Sequence, residues 1–317
     1  MIKVLNLTKV FNFQKAVNSI SFEINKNGIT ALLGANGAGK TTTMRMLTCS
    51  LKADYGNVAI HGFDTQKCPQ KIKSLLGYLP ERSPIYKEMT VCEYIKYIGE
   101  LRGLKSKTLK TATEKIISQC SLESVYYKKN ETLSKGYLQR VALAQAIIHD
   151  PPCLILDEPT DGLDPIQKHK MRTLIKKMGE SKIILLSTHI LEEVEECCDR
   201  SIVLSSGKII MDTTPDELKK KTPSYGNVII TFTKENLTRK QVNDIAQKIT
   251  NEIQEKIDSI STKETQDTFS LEITPKHIDH SSEVLQLNVI KLKEISQPFK
   301  NIHIDEGNLN EAFRMIK

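Results

Sequence analysis

Hydrophobic positions along this chain follow two alternating patterns. Short apolar runs, such as Ile29 to Leu33, Cys153 to Leu156 and Ile183 to Leu186, are separated by longer segments with apolar positions at helical spacing. A short run that is apolar throughout is typical of a strand buried on both faces, as in a parallel sheet covered by helices. The pattern therefore predicts an α/β core built on a largely parallel sheet.

Two regions depart from this alternation. Near the start, Ile2 to Leu7 and Asn18 to Ile24 have the pattern of strands in a small antiparallel sheet beside the core. Between about Ser83 and Asn130 the pattern becomes helical, and Thr90 and Glu93 have the spacing of a capping box. We therefore expect a helical subdomain, at about residues 83–150, inserted into the α/β core.

A basic stretch with Pro and Gly, Lys219 to Gly226, separates two compositions. It predicts a large domain at residues 1–221 and a small α+β domain at residues 222–317. The elements predicted in the small domain are a strand at Asn227 to Thr233, a helix with the buried stripe Val242, Ile245, Ile249, Ile253 and Ile257, a strand at Phe269 to Ile273, a helix from about Ser281, a strand near Ile302 to Ile304 and a last helix from Asn308.

The positive charge is concentrated in the larger domain. The chain has a formal charge of +7, and residues 222–317 hold 12 Lys and Arg against 14 Asp and Glu, which leaves 33 against 24 in residues 1–221. A basic excess can indicate binding to nucleic acid or to an anionic membrane surface, but here the charge is dispersed and no aromatic residues are interleaved in basic runs. We therefore expect an ordinary solvated surface with a nucleotide site, and no nucleic-acid partner.

The seven cysteines show no CxxC pair, which disfavours a zinc or redox site and predicts free thiols. The adjacent Cys197 and Cys198 are interpreted as packing residues near the end of a helix. No run approaches the ~18 apolar residues of a membrane span, and Met1 to Asn12 lacks the apolar segment of a secretory signal. These features predict a cytoplasmic protein.

The first candidate for chemistry follows the apolar run that ends at Leu33. Its sequence, GANGAGKT, matches the phosphate-binding pattern GxxxxGK[ST] between a predicted strand and a predicted helix. Glycines let backbone N–H groups turn inward toward phosphate, the helix directs its positive end there, and Lys40 adds a charge. Thr41 is expected to bind Mg²⁺. The predicted phosphate-binding residues are Gly34, Ala35, Asn36, Gly37, Ala38, Gly39, Lys40, Thr41 and Thr42.

The second candidate is CLILDEPT, residues 153–160, a buried strand that ends in two carboxylates. Beside a phosphate-binding loop, the first carboxylate typically holds the Mg²⁺ shell and the second faces the attacking water. We assign these roles to Asp157 and Glu158. Paired acids after a strand can also simply favour a helix N-terminus, but the preceding loop disfavours that reading.

At this point the chain resembles the ATP-binding-cassette (ABC) family. LSKGYLQR, residues 133–140, stands about twenty residues before CLILDEPT, where that family carries its LSGGQ signature. Gly162 to Pro165 resemble the family's dimer-contacting loop, which includes Asp164. His189, after the run Ile183 to Leu186, resembles its switch histidine. The resemblance covers residues 1 to about 221, and four motifs in the family's order make it specific.

The resemblance implies a head-to-tail dimer with ATP and Mg²⁺ between the phosphate-binding loop of one subunit and the signature of the other. Ser134 and Gly136 begin a predicted helix whose positive end would face the γ-phosphate. Phe11 stands where the family carries an aromatic residue that stacks on adenine. Phe13 is a neighbouring alternative, and both phenylalanines could instead belong to the core of the N-terminal sheet.

Two positions depart from the family's usual pattern. GYLPE places Glu81 where the family has a glutamine that senses Mg²⁺ and the attacking water, and Glu81 retains an acceptor oxygen. The signature has Lys135 and Tyr137 at variant positions but retains Ser134 and Gly136. Both departures resemble the branch that drives type-2 exporters. This implies a separate membrane permease, docked near Glu81 and residues 83–130, with the chain peripheral on the inner face of the cell membrane.

Two other functions remain as alternatives. A soluble ABC ATPase that remodels ribosomes or nucleic acid would share this fold, but such proteins usually carry two cassettes or a long coiled coil. A P-loop kinase or GTPase would lack the signature and His189. The sequence therefore favours an ATPase that powers export and works as a dimer.

Overall fold

The computed structural model describes residues 1–235, 237–294, 299–309 and 311–312. The chain divides into two compact units between Pro215 and Asp216, whereas the sequence pattern placed a boundary between residues 221 and 222. Within the described ranges, no helix is long and apolar enough to cross a membrane. All seven cysteines are free thiols, and Cys197 and Cys198 are buried, as predicted.

The first unit contains two sheets and seven α-helices among its described elements. Its strands are β1 (Ile2–Phe11), β2 (Gln14–Ile24), β3 (Gly28–Leu33), β4 (Tyr55–Ile60), β5 (Phe63–Asp64), β6 (Leu76–Leu79), β7 (Cys153–Asp157), β8 (Ile183–Thr188), β9 (Arg200–Ser205) and β10 (Lys208–Thr213). Its helices are α1 (Lys40–Leu47), α2 (Pro69–Leu75), α3 (Val91–Leu101), α4 (Ser106–Gln119), α5 (Lys135–Ile147), α6 (Pro165–Gly179) and α7 (Leu191–Cys197).

The central sheet has the order β10-β9-β3-β8-β7-β6. Its neighbouring strands are parallel from β9 to β6, and β10 joins the edge antiparallel to β9. All five residues of β7 and all six of β8 are buried, as expected of strands that are covered on both faces. The α/β core expected from the apolar runs is confirmed.

The antiparallel sheet has the order β2-β1-β4-β5 and contains both strands predicted near the start of the chain. Its inner face and the central sheet share one hydrophobic core. Ile2 and Leu7 of the antiparallel sheet belong to the same buried cluster as Met44 of α1 and Leu185 of β8. This packing fixes α1, and with it the phosphate-binding loop, against the central sheet.

The helical subdomain is formed by α3, α4 and α5. Helix α3 begins with the predicted capping box: Glu93 N donates to Thr90 Oγ1 at 3.2 Å, and Thr90 N donates to Glu93 Oε2 at 2.8 Å. These bonds satisfy two backbone donors that a helix start leaves without partners. Helix α5 is buried along most of its length, because it packs against α3 and also against β6.

The second unit contains a four-stranded antiparallel sheet with its own core, and the strand order is β12 (Ile257–Glu264), β13 (Thr268–Pro275), β11 (Val228–Thr233) and β14 (Asn301–Ile304). One correction concerns Ile257, which begins β12, whereas the sequence pattern placed it at the end of the preceding helix. That helix ends at Ile253, and both segments are apolar at compatible spacing. The elements are α8 (Pro215–Lys219), β11 (Val228–Thr233), α9 (Arg239–Ile253), β12 (Ile257–Glu264), β13 (Thr268–Pro275), α10 (Ser281–Glu294) and β14 (Asn301–Ile304).

The other elements predicted in the second unit before Asn308 are confirmed. The stripe residues Val242, Ile245 and Ile249 are buried against the sheet, which explains their helical spacing. The last predicted helix starts near Asn308, where Ala312 N donates to Asn308 O at 3.0 Å, but residues 310 and 313–317 lie outside the described residues.

Candidate nucleotide site

A cavity of about 500 Å³ lies at the carboxyl edge of the central sheet. Strands β3, β8 and β7 are parallel neighbours, so the segments that follow them meet at one edge. The GANGAGKT loop follows β3, the paired carboxylates lie at the end of β7, and His189 follows β8. The cavity is lined by Ala16, Asn36, Gly37, Gly39, Lys40, Thr41, Thr42, Glu81, Glu158, Asp161 and His189.

The last residue of the loop between β3 and α1 has a backbone conformation that favours glycine. Gly39, the N-cap of α1, has a φ of 104°. A Cβ atom there would lie 2.5 Å from the carbonyl oxygen of Ala16. The close approach places the loop on the antiparallel sheet and leaves the start of α1 facing the cavity, where its N–H groups can bind phosphate.

Lys40 is the first residue of α1, and its side chain is buried. Its Nζ donates to Gly34 O at 2.8 Å and to Ala35 O at 3.3 Å, and lies 3.4 Å from Glu158 Oε1. The ammonium is thus held inside the loop, among acceptors that compensate for its burial. A phosphate group in the cavity would meet this charge directly.

Asp157 at the end of β7 is fully buried, and its two carboxylate oxygens have different surroundings. Its Oδ1 accepts from Ser187 Oγ at 2.5 Å and from Thr41 Oγ1 at 3.3 Å. Its Oδ2 is buried and has no hydrogen-bond partner among the described residues. Burial raises the pKa of Asp157, and the hydrogen bonds from Ser187 and Thr41 oppose that rise. A bound cation would satisfy the free oxygen.

These residues fit Mg²⁺. The ion prefers oxygen ligands and usually takes only one or two from the protein, with substrate phosphates and water completing its shell. Thr41 Oγ1 and Asp157 supply this kind of set. Among the residues that the structure describes, no group of three or more His, Cys, Asp or Glu side chains could hold a metal ion.

Glu158 connects the loop lysine to the predicted switch histidine. Its Oε1 lies 3.4 Å from Lys40 Nζ, and its Oε2 lies 2.9 Å from His189 Nδ1. Its backbone has a φ of 49°, a left-handed conformation that costs free energy for a residue with a side chain. A hydrogen bond from Glu158 N to Ser187 Oγ, at 3.0 Å, helps hold it. The strained turn aims the carboxylate into the cavity.

Behind His189 lies a buried polar pair that the sequence pattern did not reveal. Thr188 Oγ1 donates to Glu193 Oε2 at 2.6 Å and accepts from Ile190 N at 2.9 Å. Glu193 is 1% exposed, and burial raises its pKa. The two bonds brace the backbone on either side of His189, which fixes the position of its ring near Glu158.

The signature segment and the loop after β7 lie against each other. Ser134 is the N-cap of α5, where its side chain accepts from Tyr137 N at 3.5 Å. The Gln167 side chain fills the space beside Gly136, within about 2 Å of where a Cβ atom would stand. Asp164 caps α6 by accepting from Gln167 N at 2.9 Å. These side chains do not line the cavity of the same subunit.

Phe11 and Phe13 are both exposed, at 45% and 103% of their reference areas, so neither belongs to the core of the antiparallel sheet. The core interpretation left open by the sequence is therefore wrong. Phe11 ends β1, and Lys9 Nζ lies 5.4 Å from the centre of its ring. An exposed ring at this position is available to stack on a base.

The structure thus brings together the loop after β3, Glu81, Glu158 and His189, with Asp157 directly behind. The sequence pattern did not single out Asp161 and Ala16, which also line the cavity. It placed Ser187 beside His189 but gave no role to this serine, which bonds to both Asp157 and Glu158. The register that pairs Asp157 with Ser187 across β7 and β8 is the signal that could have identified the serine.

Comparison with known proteins agrees with this geometry. A family model described as ABC transporter matches residues 17–161. An uncharacterized ABC transporter ATP-binding protein of Methanocaldococcus jannaschii is 38% identical over 66% of this chain and 76% of its own length. A bacitracin transport ATP-binding protein of Bacillus licheniformis is 34% identical over 71% of this chain and 73% of its own.

A solved structure shows the same cassette. A dimeric ATP-binding cassette bound to ADP and phosphate, in a post-hydrolysis state, is 25% identical and superimposes with a TM-score of 0.62 over 68% of this chain and 99% of that one. The overlap corresponds in extent to the first unit.

Proposed function

Since this chain belongs to the ATP-binding subunits of ABC transporters, we propose that its ATPase activity powers export of a substrate through a separate membrane permease. The chain binds ATP and hydrolyses it, as the family does. The observation that carries the proposal is the arrangement of Lys40, Glu158 and His189 around one cavity. Relatives named for bacitracin transport and multidrug transport support the direction toward export.

In the proposed reaction, Glu158 is the general base for the water that attacks the γ-phosphate. Its carboxylate accepts the proton of the water, and His189 Nδ1, 2.9 Å away, holds the carboxylate in orientation. When ATP binds, the ammonium group of Lys40 leaves Glu158 and contacts the phosphates. Thr41 and Asp157 would hold Mg²⁺, which would supply positive charge beside the phosphates. Glu81 lines the same cavity, where its carboxylate could contact the attacking water or a ligand of the ion.

Each complete site in this proposal is shared between two copies of the chain. Ser134 is exposed, and the N-terminal end of α5 behind it is not used by the cavity of its own subunit. Facing a partner, that end presents its positive dipole and the Ser134 hydroxyl to the γ-phosphate. Asp164 lies in the contact between subunits, and Phe11 stacks on adenine. The γ-phosphate therefore stabilises the closed dimer, and hydrolysis removes that stabilisation.

The permease is proposed to dock beside Glu81 and the helical subdomain, which would place the chain on the inner face of the cell membrane. Exposed apolar side chains at this surface support the location. Tyr86 is 55% exposed, although its ring packs on Tyr94 and Tyr97, and Leu101 at the end of α3 is 65% exposed. Large exposed aromatic residues are frequent anchors of protein interfaces.

The test is affinity purification of the chain from detergent-solubilised membranes of its own organism, with mass spectrometry of the proteins that remain bound. We expect a polytopic membrane protein at comparable stoichiometry. Tyr86→Ala should reduce its recovery, whereas Tyr55→Ala, at a 71% exposed tyrosine on the antiparallel sheet, should not. Recovery of ribosomes or DNA-associated proteins in place of a permease would favour the alternative, a soluble remodelling ATPase.

A further inference from the structure

A second cavity, of about 510 Å³, shares no lining residue with the nucleotide cavity. It lies between the end of α4, helix α5 and helix α6. Arg140 of α5 contributes one wall, and His169, Lys170, Thr173 and Lys177 of α6 contribute another. The volume falls within the ~300–1,000 Å³ typical of sites for small ligands. The cavity is therefore large enough for a molecule with several charged groups.

The cations around this cavity have no carboxylate partners. Within the described part of the chain, no Asp or Glu oxygen lies within 4.0 Å of Arg140, Lys170 or Lys177, and the lining contains no Asp or Glu. By contrast, Arg172 on the same helix pairs with Glu196 at 2.7 Å. Like charges that face one cavity raise its potential and lower the free energy of an anion bound there.

Helix α6 is the source of much of this charge. Residues 165–179 contain four lysines and one arginine without any Asp or Glu. Ser121 and Gln119 offer polar groups, whereas Met171 and Cys120 are buried beneath them. Burial raises the pKa of Cys120 to about 12, so its thiol stays uncharged and adds no negative charge to the cavity.

We propose that this cavity binds a small molecule, or a lipid headgroup, that carries phosphate groups. Phosphate oxygens can accept hydrogen bonds from the forked N–H groups of the Arg140 guanidinium and from the ammonium groups of Lys170 and Lys177. The site is concave, and its described lining contains no Phe, Tyr or Trp, unlike grooves that bind single-stranded nucleic acid.

The test uses the intact chain with Lys40→Ala, which weakens phosphate binding at the nucleotide cavity. Tripolyphosphate binding is measured by isothermal titration calorimetry in two matched double variants. Lys170→Gln with Lys177→Gln removes two charges that line the second cavity. Lys168→Gln with Lys176→Gln removes two charges from the same helix that do not line it. Thermal unfolding of both variants checks that they are folded.

We expect the lining variant to bind tripolyphosphate at least about tenfold more weakly than its parent, and the control variant to bind within about twofold of it. A second arm measures flotation with phosphatidylcholine vesicles that do or do not contain phosphatidic acid. Variant-sensitive binding to tripolyphosphate identifies a soluble ligand, and variant-sensitive binding only to phosphatidic acid identifies a headgroup. Equal weakening in both double variants, or no binding of either probe, overturns the proposal.

Discussion

Glu158 is the residue on which the proposed chemistry depends, because its two carboxylate oxygens contact two functional side chains. In Glu158→Gln, the side chain keeps its shape but cannot take a proton from water. We expect ATP affinity to be retained and turnover to fall by on the order of 10² or more. Steady-state ATPase assays and nucleotide titration measure the two effects.

Glu192→Gln is the matched control for this variant, since Glu192 is exposed on α7 and does not line the cavity. Its turnover should equal that of the unmodified chain. Near-normal turnover in Glu158→Gln would show that another group activates the water.

The buried hydroxyl of Thr188 braces the segment that carries His189. Thr188→Val keeps the side-chain shape but leaves Glu193 Oε2 and Ile190 N without this partner. We expect the free energy of unfolding to fall by about 1–3 kcal/mol and turnover to fall with it. Denaturant unfolding and ATPase assays test this. Thr188→Ser retains the hydroxyl and should behave as the unmodified chain, and equal turnover in the Val and Ser variants would rule out a positioning role.

At the residue scale, sequence patterns predicted side chains that belong to contiguous motifs. Lys40, Thr41, Asp157 and Glu158 each stand at a fixed offset from an apolar strand, so their positions follow from the strand. Glu193 could not be predicted, because a carboxylate in the first turn of a helix is ordinary. Its burial arises only when α7 folds back against the sheet.

The loop before α1 is the element with the strictest local requirement. Gly39 combines a φ of 104° with the carbonyl oxygen of Ala16 at 2.5 Å from a Cβ position, whereas Gly37 has a φ of 80° and open space. In Gly37→Ala, the free energy of unfolding should fall only by the ~1–2 kcal/mol that a left-handed backbone costs a residue with a side chain. In Gly39→Ala it should fall further, because the backbone must also move away from the carbonyl oxygen of Ala16. Thermal unfolding without nucleotide compares them, and equal losses would show that the close approach is unimportant.

At the element scale, prediction succeeded where a segment was buried on both faces or capped. Strands β3, β7 and β8 are apolar throughout, and α3 begins with a complete capping box. Strand β6 was not predicted. Its four residues, Leu76 to Leu79, directly follow α2 without a turn signal between them. The start of β12 at Ile257 was missed for the same reason, because no turn signal separates it from the preceding helix.

At the scale of the whole molecule, the second unit has a hydrophobic core of its own. We propose that it regulates or supports the dimer of ATP-binding units. A chain truncated after Lys221 should then form a weaker ATP-dependent dimer and hydrolyse ATP more slowly. Sedimentation velocity and ATPase assays measure both quantities. If assembly and turnover are the same in the truncated and full-length chains, this role is excluded.

We propose that ATP closes two copies of this chain around shared sites. The most direct test is the molar mass of the Glu158→Gln variant, measured by light scattering with and without MgATP. We predict an ATP-dependent dimer. Adding Ser134→Arg should give a monomer that still binds ATP, whereas Ser118→Arg, at an exposed position of α4, should leave the dimer intact. An ATP-dependent dimer that persists with Ser134→Arg would contradict the shared site.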